Sequence, residues 1–138
     1  MKLGVIMDPI GSINFKKDST LSILLEAQSR GHELYYMEPS SLFLRESGAC
    51  ALTKSVVVKE DPESWYELSE ASEIKLSDLD MVMMRQDPPF NSNYIYNTYV
   101  LDAAEREGVI VINKPSSLRG CNEKVFVTQF PQCCMPFM

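Results

Sequence analysis

The sequence lacks several features that would mark whole classes of protein. No stretch approaches the ~18 consecutive apolar residues of a transmembrane helix, so we expect no membrane span. A basic excess is also missing, because 13 lysines and arginines stand against 19 aspartates and glutamates, for a net charge of −6. Nucleic-acid phosphates require a basic face, so this balance argues against a nucleic-acid partner.

Histidine and paired cysteines are scarce as well. The single histidine, His32, has no motif around it, and the four cysteines form no C-x-x-C pair. We therefore expect neither a zinc site nor a Ser-His-Asp or Cys-His catalytic set. The apolar stretch 3–7 meets Asp8 and Pro9 at once and is too short for a signal-peptide core, so we expect a cytoplasmic protein.

The first forty residues have the pattern of a strand–helix–strand unit. At 138 residues the chain can form one domain with a real core. Apolar residues 3–7 predict a strand, Asp18 or Ser19 can cap a helix that Gly31 ends, and residues 32–37 predict a second strand. This order implies parallel pairing with a right-handed crossover.

The later residues follow a similar order. Residues 79–84 predict a third core strand, 91–108 a helix that Gly108 stops, and 109–112 a further strand. Between the halves, 42–44 and 51–58 predict an antiparallel hairpin, and 61–76 a turn with a short covering segment. A last helix is predicted from Asn122 or Glu123 to Phe130. The fold class is α/β, a mostly parallel, doubly wound sheet flanked by helices with an appended β-hairpin.

The first loop, residues 8–18, joins the first strand to the first helix. It contains one glycine, Gly11, which excludes both the G-x-G-x-x-G and the P-loop patterns of nucleotide binding. Near the helix N-terminus it offers a set of polar side chains suited to a carboxylate: Ser12, Asn14, Lys17 and Asp18. An ordinary solvated loop with a capping aspartate is the alternative, which the loop alone favours.

The stretch 80–90 ends the third core strand with charged residues and two prolines, which have no backbone donor. Arg85 can bind a carboxylate and Asp87 an ammonium group, so together they suit the α-amino-acid end of a ligand. An Arg–Asp pair that braces the Pro-Pro turn is an equal alternative. Lys114 or Lys124 could meet a phosphate, although a lone lysine is usually solvated. We interpret Trp65, Tyr94, Tyr96 and Tyr99 as packing residues.

Three strings closely resemble the N-terminal part of bacterial glutathione synthetases. They are KLGVIMDPIGSINFKKDST, LLEAQSRGHELYYME and DLDMVMMRQDPPFNSNYIYNTYVLDAAEREGVIVINKPSSLRGCNEK. The resemblance covers about residues 1 to 130 in the same order. It implies a Rossmann-like, pre-ATP-grasp N-terminal domain at 1–119 and the start of an ATP-grasp region at 120–138.

The resemblance also implies an activity. Such a ligase joins γ-glutamylcysteine to glycine, and the whole enzyme uses ATP and Mg²⁺. By this resemblance, Lys17, Asp18, Arg85 and Asp87 become candidate dipeptide contacts, and Lys124 faces the nucleotide. No catalytic residue and no metal ligand is implied in this chain, and a homo-oligomer is expected.

The tail departs from the family. Family members are much longer, and this chain ends soon after the NEK string in a tail, 135–138, that neither continues as the family does nor contains a ligand cluster for a metal. We therefore expect a truncated product or a fragment that is inactive alone. A non-catalytic Rossmann-like binding or oligomerisation module is the alternative.

Overall fold

The computed structural model describes residues 1–121 and 125–135, in which a central sheet is flanked by helices. The strands are β1 (Lys2–Met7), β2 (Glu33–Met37), β3 (Leu42–Arg45), β4 (Gly48–Val58), β5 (Tyr66–Leu68), β6 (Ser72–Lys75), β7 (Met81–Arg85) and β8 (Ile110–Ile112). The α-helices are α1 (Ser19–Ser29), α2 (Ser92–Arg106) and α3 (Pro115–Gly120).

The parallel part of the sheet has the order β2-β1-β7-β8. Strand β1 lies at its centre, where Val5 is paired with Tyr36 of β2 on one side and with Met83 of β7 on the other. The predicted parallel pairing is confirmed. Because β1 and β7 are neighbours in register, Met7 lies beside Arg85 and both strands end at the same edge.

The two long helices cover opposite faces of this sheet. Leu3 and Val5 of β1 belong to the same buried cluster as Leu24 of α1, whereas Ile6 belongs to the cluster that contains Leu101 of α2. Alternate residues of β1 therefore face different helices, as the period of a strand requires. The doubly wound α/β architecture is confirmed.

An antiparallel extension continues the sheet beyond β2. Strand β4 pairs with β2, β3, β5 and β6, all in antiparallel orientation. The predicted hairpin is present as β3 and β4. The prediction of a turn and covering segment for residues 61–76 was wrong, because β5 and β6 lie in that range. Short strands of mixed polarity give a weak sequence pattern, and β4 supplies the partner that makes them strands.

Local signals placed the helix ends correctly. Asp18 is the N-cap of α1 and Asn91 is the N-cap of α2, and each side chain accepts a backbone amide hydrogen bond from the first turn. Gly108 follows α2 with a φ of 99°, a left-handed conformation that glycine adopts without strain. Within the described ranges, no helix is both long and apolar enough to cross a membrane.

Two predictions near the second helix were wrong in part. Tyr96 and Tyr99 are not packing residues, because they are 64% and 48% exposed, and the ring of Tyr99 lies under the Arg119 guanidinium at 4.5 Å. The predicted last helix begins at residues outside the described ranges, and its later part forms a short 3-10 turn at Phe126–Gln129 rather than an α-helix.

Candidate ligand-binding cleft

The carboxyl ends of β1 and β7 meet where the chain changes from one face of the sheet to the other. The connection after β1 runs through α1 on one face, and the connection after β7 runs through α2 on the opposite face. Ligands of open α/β sheets bind at such a point, because the two connections diverge and leave a crevice. Asp8 follows β1 here, and Arg85, Gln86 and Asp87 end β7 or follow it.

An open cleft of about 430 Å³ lies at this point. Its walls come from the first loop and from the segment after β7, with these lining residues: Asp8, Ser12, Ile13, Asn14, Lys17, Asp18 and Asp87. Six of the seven side chains are polar, and four of them are acidic or basic. The structure thus brings Lys17, Asp18 and Asp87 together, three of the four residues predicted to contact substrate.

Asp8 joins the two strand ends across the cleft. Its Oδ2 accepts a hydrogen bond from the backbone N–H of Asp87 at 3.0 Å. Asp8 is half-buried, whereas Asp87 is exposed. The bond fixes the backbone at Asp87 and leaves the Asp87 carboxylate in the cleft wall.

Asp18 forms part of the cleft wall and also starts α1. Its Oδ1 accepts hydrogen bonds from the backbone N–H groups of Thr20 at 2.6 Å and Leu21 at 3.2 Å. These amides would otherwise lack partners at the helix start. The negative charge is favourable there because it faces the positive end of the helix dipole.

Arg85 lies beside the cleft and contacts the first turn of α1. Its Nε donates to Thr20 Oγ1 at 3.2 Å, and its Nη2 donates to Ser19 Oγ at 2.9 Å. In the described part of the chain no ion pair joins Arg85 to Asp87. Arg85 therefore braces α1 rather than the Pro-Pro turn, and its guanidinium is not among the groups that line the cleft.

A buried tyrosine supports the first loop from behind. The Tyr36 hydroxyl accepts a hydrogen bond from the Ile10 backbone N–H at 3.2 Å and donates one to Glu38 Oε1 at 3.0 Å. Burial is the main cause that raises the pKa of Tyr36 to about 12, and the hydrogen bond to Glu38 acts in the same direction. The hydroxyl therefore stays neutral at physiological pH and can hold both partners.

The described residues contain no cluster of side chains of the kind that holds a metal ion. Across residues 1–121 and 125–135, no three His, Cys, Asp or Glu side chains come together as a metal site. Lys124, the residue predicted to face the nucleotide, lies outside the described residues.

Comparison with known proteins shows the family of this chain. The family described as "Prokaryotic glutathione synthetase, N-terminal domain" matches residues 1–119. The chain belongs to this family. The match covers the sheet, α1, α2 and nearly all of α3, and so includes every residue of the cleft.

Individual relatives agree with the family assignment. The chain is 55% identical to a glutathione synthetase of Vibrio cholerae over 132 residues, which are 96% of this chain and 42% of that protein. It is 50% identical to one of Pseudomonas putida over 136 residues and 51% identical to one of Salmonella typhi over 130 residues. The chain therefore spans about two fifths of the length of the curated relatives it matches.

Sequence reasoning missed two residues of this glutathione synthetase N-terminal domain. Asp8 could have been predicted from the sequence, because it directly follows β1, just as charged residues stand at the end of β7. No pattern in the sequence points to the role of Tyr36, because its hydrogen bond with Ile10 joins residues 26 positions apart and depends on how β1 and β2 pair.

Proposed function

We propose that this chain provides the dipeptide-facing part of a glutathione synthase, an enzyme that ligates γ-glutamylcysteine and glycine with ATP. The observation that carries the proposal is the cleft at the sheet's switch point, where Lys17 and Asp87 present opposite charges to the same space. The relatives that share the family are named glutathione synthetases, which supplies the substrate class.

The γ-glutamyl end of that dipeptide matches the cleft in charge. Its free α-ammonium is attracted to the carboxylates of Asp8 and Asp87, and its free α-carboxylate to the Lys17 ammonium. Asp87 and Lys17 are both exposed, so each pair contributes modestly, on the order of 1 kcal/mol or less. Selectivity would arise from the combination of charges and not from one strong contact.

Activation by ATP belongs to another part of the enzyme under this proposal. The described residues supply neither a glycine-rich phosphate loop nor a metal site, and the relatives carry more than half of their length beyond the matched segment. We expect the isolated 138-residue chain to bind the dipeptide without forming glutathione. A cytoplasmic location and a homo-oligomer are parts of the same proposal that rest on the family alone.

Calorimetry with γ-glutamylcysteine tests the binding step. We expect the chain to bind the dipeptide, and the change Asp87→Asn to weaken binding roughly fivefold, because the amide keeps the shape and loses the charge. Asp78→Asn is the matched control, since Asp78 is exposed in the turn before β7 and is not among the residues that line the cleft. Absence of heat from the unaltered chain, or equal loss in both variants, would contradict the proposal.

A product assay tests whether this chain binds the dipeptide without catalysing the ligation. Purified chain is incubated with ATP, Mg²⁺, glycine and γ-glutamylcysteine, and glutathione is measured by chromatography. Glutathione that forms in proportion to the chain's concentration would show that this chain suffices for catalysis and would contradict the proposal that activation needs another part of the enzyme. Dipeptide binding without product would support a binding role.

A further inference from the structure

An aromatic cluster that lines no part of the cleft contacts the back of the first loop. Phe15, on the loop itself, lies with its ring centre 6.2 Å from that of Trp65, and Trp65 packs edge-to-face on Tyr66 at 4.6 Å. Trp65 is 9% exposed and directly precedes β5. The antiparallel extension of the sheet thus reaches back to the loop that carries most of the cleft-lining residues.

Two tyrosine hydroxyls lie at the glycine-containing turn of the loop. Tyr66 Oη is close enough to Gly11 that a Cβ at this position would be 2.9 Å from it, so that either the loop or the ring would have to shift. One residue earlier, the Ile10 amide donates to Tyr36 Oη. Ile10 itself is 3% exposed, so this amide has little access to water as a substitute partner.

We propose that Tyr36 and Tyr66 are positioning residues, which hold the first loop in its ligand-binding arrangement and so raise affinity without touching the ligand. Binding must otherwise order the loop residues Ser12, Asn14 and Lys17, and a loop that is already ordered avoids that entropic cost. The ligand's identity in this inference rests on the proposed function, whereas the ordering of the loop does not.

The change Tyr36→Phe removes one hydroxyl and leaves the Ile10 amide without its partner. We expect the Ile10 amide to exchange with deuterium about tenfold faster than in the unaltered chain, and γ-glutamylcysteine to bind roughly fivefold more weakly. Tyr35→Phe is the matched control. It removes the hydroxyl of the adjacent residue, which donates to Glu33 on the other face of the sheet.

The second test concerns the contact between Tyr66 and Gly11. Gly11→Ala forces either the loop or the Tyr66 ring to shift, and we expect about threefold weaker binding with faster exchange of the Ser12 amide. Adding Tyr66→Phe removes the obstructing oxygen and should restore both values only in part in the double variant, because the ring still lies against Gly11 but its hydroxyl no longer contacts the loop. Trp65 is the only tryptophan, so its emission reports on the same contact.

Hydrogen exchange and ligand binding, measured on the same variants, test this inference and the proposed function separately. If the unaltered chain binds no γ-glutamylcysteine, the proposed function fails, and hydrogen exchange alone still decides whether these tyrosines order the loop. Faster loop exchange in Tyr36→Phe but not in Tyr35→Phe supports the inference. Unchanged exchange in Tyr36→Phe, or a Gly11→Ala defect that Tyr66→Phe does not relieve, overturns it.

Discussion

At the scale of single residues, Asp18 combines a structural role with a place in the cleft wall. Both of its capping bonds, to the amides of Thr20 and Leu21, use the same oxygen, Oδ1. The side chain also lines the cleft beside Lys17. The two interpretations of the first loop, a capping aspartate and a ligand contact, are therefore compatible at this residue.

Paired substitutions of Asp18 separate its two roles. Asp18→Ala removes the cap and should lower the free energy of unfolding by about 1 kcal/mol, whereas Asp18→Asn keeps a capping oxygen and should cost only a few tenths. If the charge also contacts the ligand, Asp18→Asn will weaken γ-glutamylcysteine binding despite near-normal stability. Urea unfolding and calorimetry measure the two effects, and equal loss of stability in both variants would contradict the capping role.

Arg85 makes contacts that neither of its predicted roles includes. It neither lines the cleft nor pairs with Asp87; it donates to the hydroxyls of Ser19 and Thr20 at the start of α1. Its positive charge lies near the helix N-terminus, an unfavourable place that the Asp18 carboxylate offsets. Arg85 therefore influences the cleft through the placement of α1.

At the scale of elements, β4 connects the antiparallel extension to both layers of helices. Near its end, Val58 exchanges two backbone hydrogen bonds with the Gln28 side chain of α1, at 2.8 and 2.9 Å. At its start, the Ala49 N–H donates to Glu107 Oε1 at 3.3 Å, just after α2. One strand thus binds a helix on each face of the sheet, which makes the extension part of the domain's core.

The turn before β4 gives a testable consequence of this packing. Gly48 has a φ of 117°, and an added Cβ would collide with the Glu107 carboxylate. Gly48→Ala should therefore lower the free energy of unfolding by somewhat more than the ~1 kcal/mol of backbone strain, because the exposed Glu107 side chain can swing aside but then loses its hydrogen bond from the Ala49 N–H. Chemical denaturation with a fluorescence readout measures the change.

Gly108→Ala is the matched control for that substitution. Gly108 also has a left-handed φ, of 99°, but an added Cβ meets no atom within 4 Å. This variant should lower the free energy of unfolding by about 1 kcal/mol, the cost of the backbone strain alone. Equal destabilisation by the two variants would show that the contact with Glu107 contributes nothing.

At the scale of the whole molecule, the α1 face of the sheet is covered unevenly. Residues of β1 and β2 on this face, such as Val5 and Tyr36, are buried. On β7 and β8 the same face carries half-buried Met81 and Met83 and, at the edge, Ile110 and Ile112, which are 55% and 43% exposed. Parallel strands are normally buried on both faces, so this edge is unusually apolar for a free surface.

Self-association of the chain through the β8 edge is the expected result. Sedimentation velocity over a range of concentrations should show reversible growth in size, because an exposed apolar edge strand pairs readily with another copy. Ile110→Lys should reduce that growth. Leu44→Lys is the control, since Leu44 is 56% exposed on β3 at the opposite edge. A chain that stays monomeric at every concentration, or an equal effect of both lysines, would contradict this expectation.

Much of the fold followed from local patterns. Apolar periods and caps placed β1, α1, β2, β7 and α2 correctly, because a cap involves residues two or three positions apart and a buried strand needs only a short apolar run. Strands β5 and β6 were missed because, at three and four residues, they are too short for an alternating pattern to stand out from the polar residues around them. Of the cleft, the positions of Lys17, Asp18 and Asp87 at the ends of elements could be predicted.

The sequence by itself determined the order of elements and the edge of the sheet at which charged side chains gather. Only the tertiary structure decided what those side chains contact. Asp8 bonds a residue 79 positions away, and Arg85 bonds residues 65 and 66 positions away. Such contacts depend on strand register and on which face each helix covers, and no local pattern of residues encodes either of these. The same reason explains why Tyr36, a strand residue in sequence, supports the loop of the candidate site.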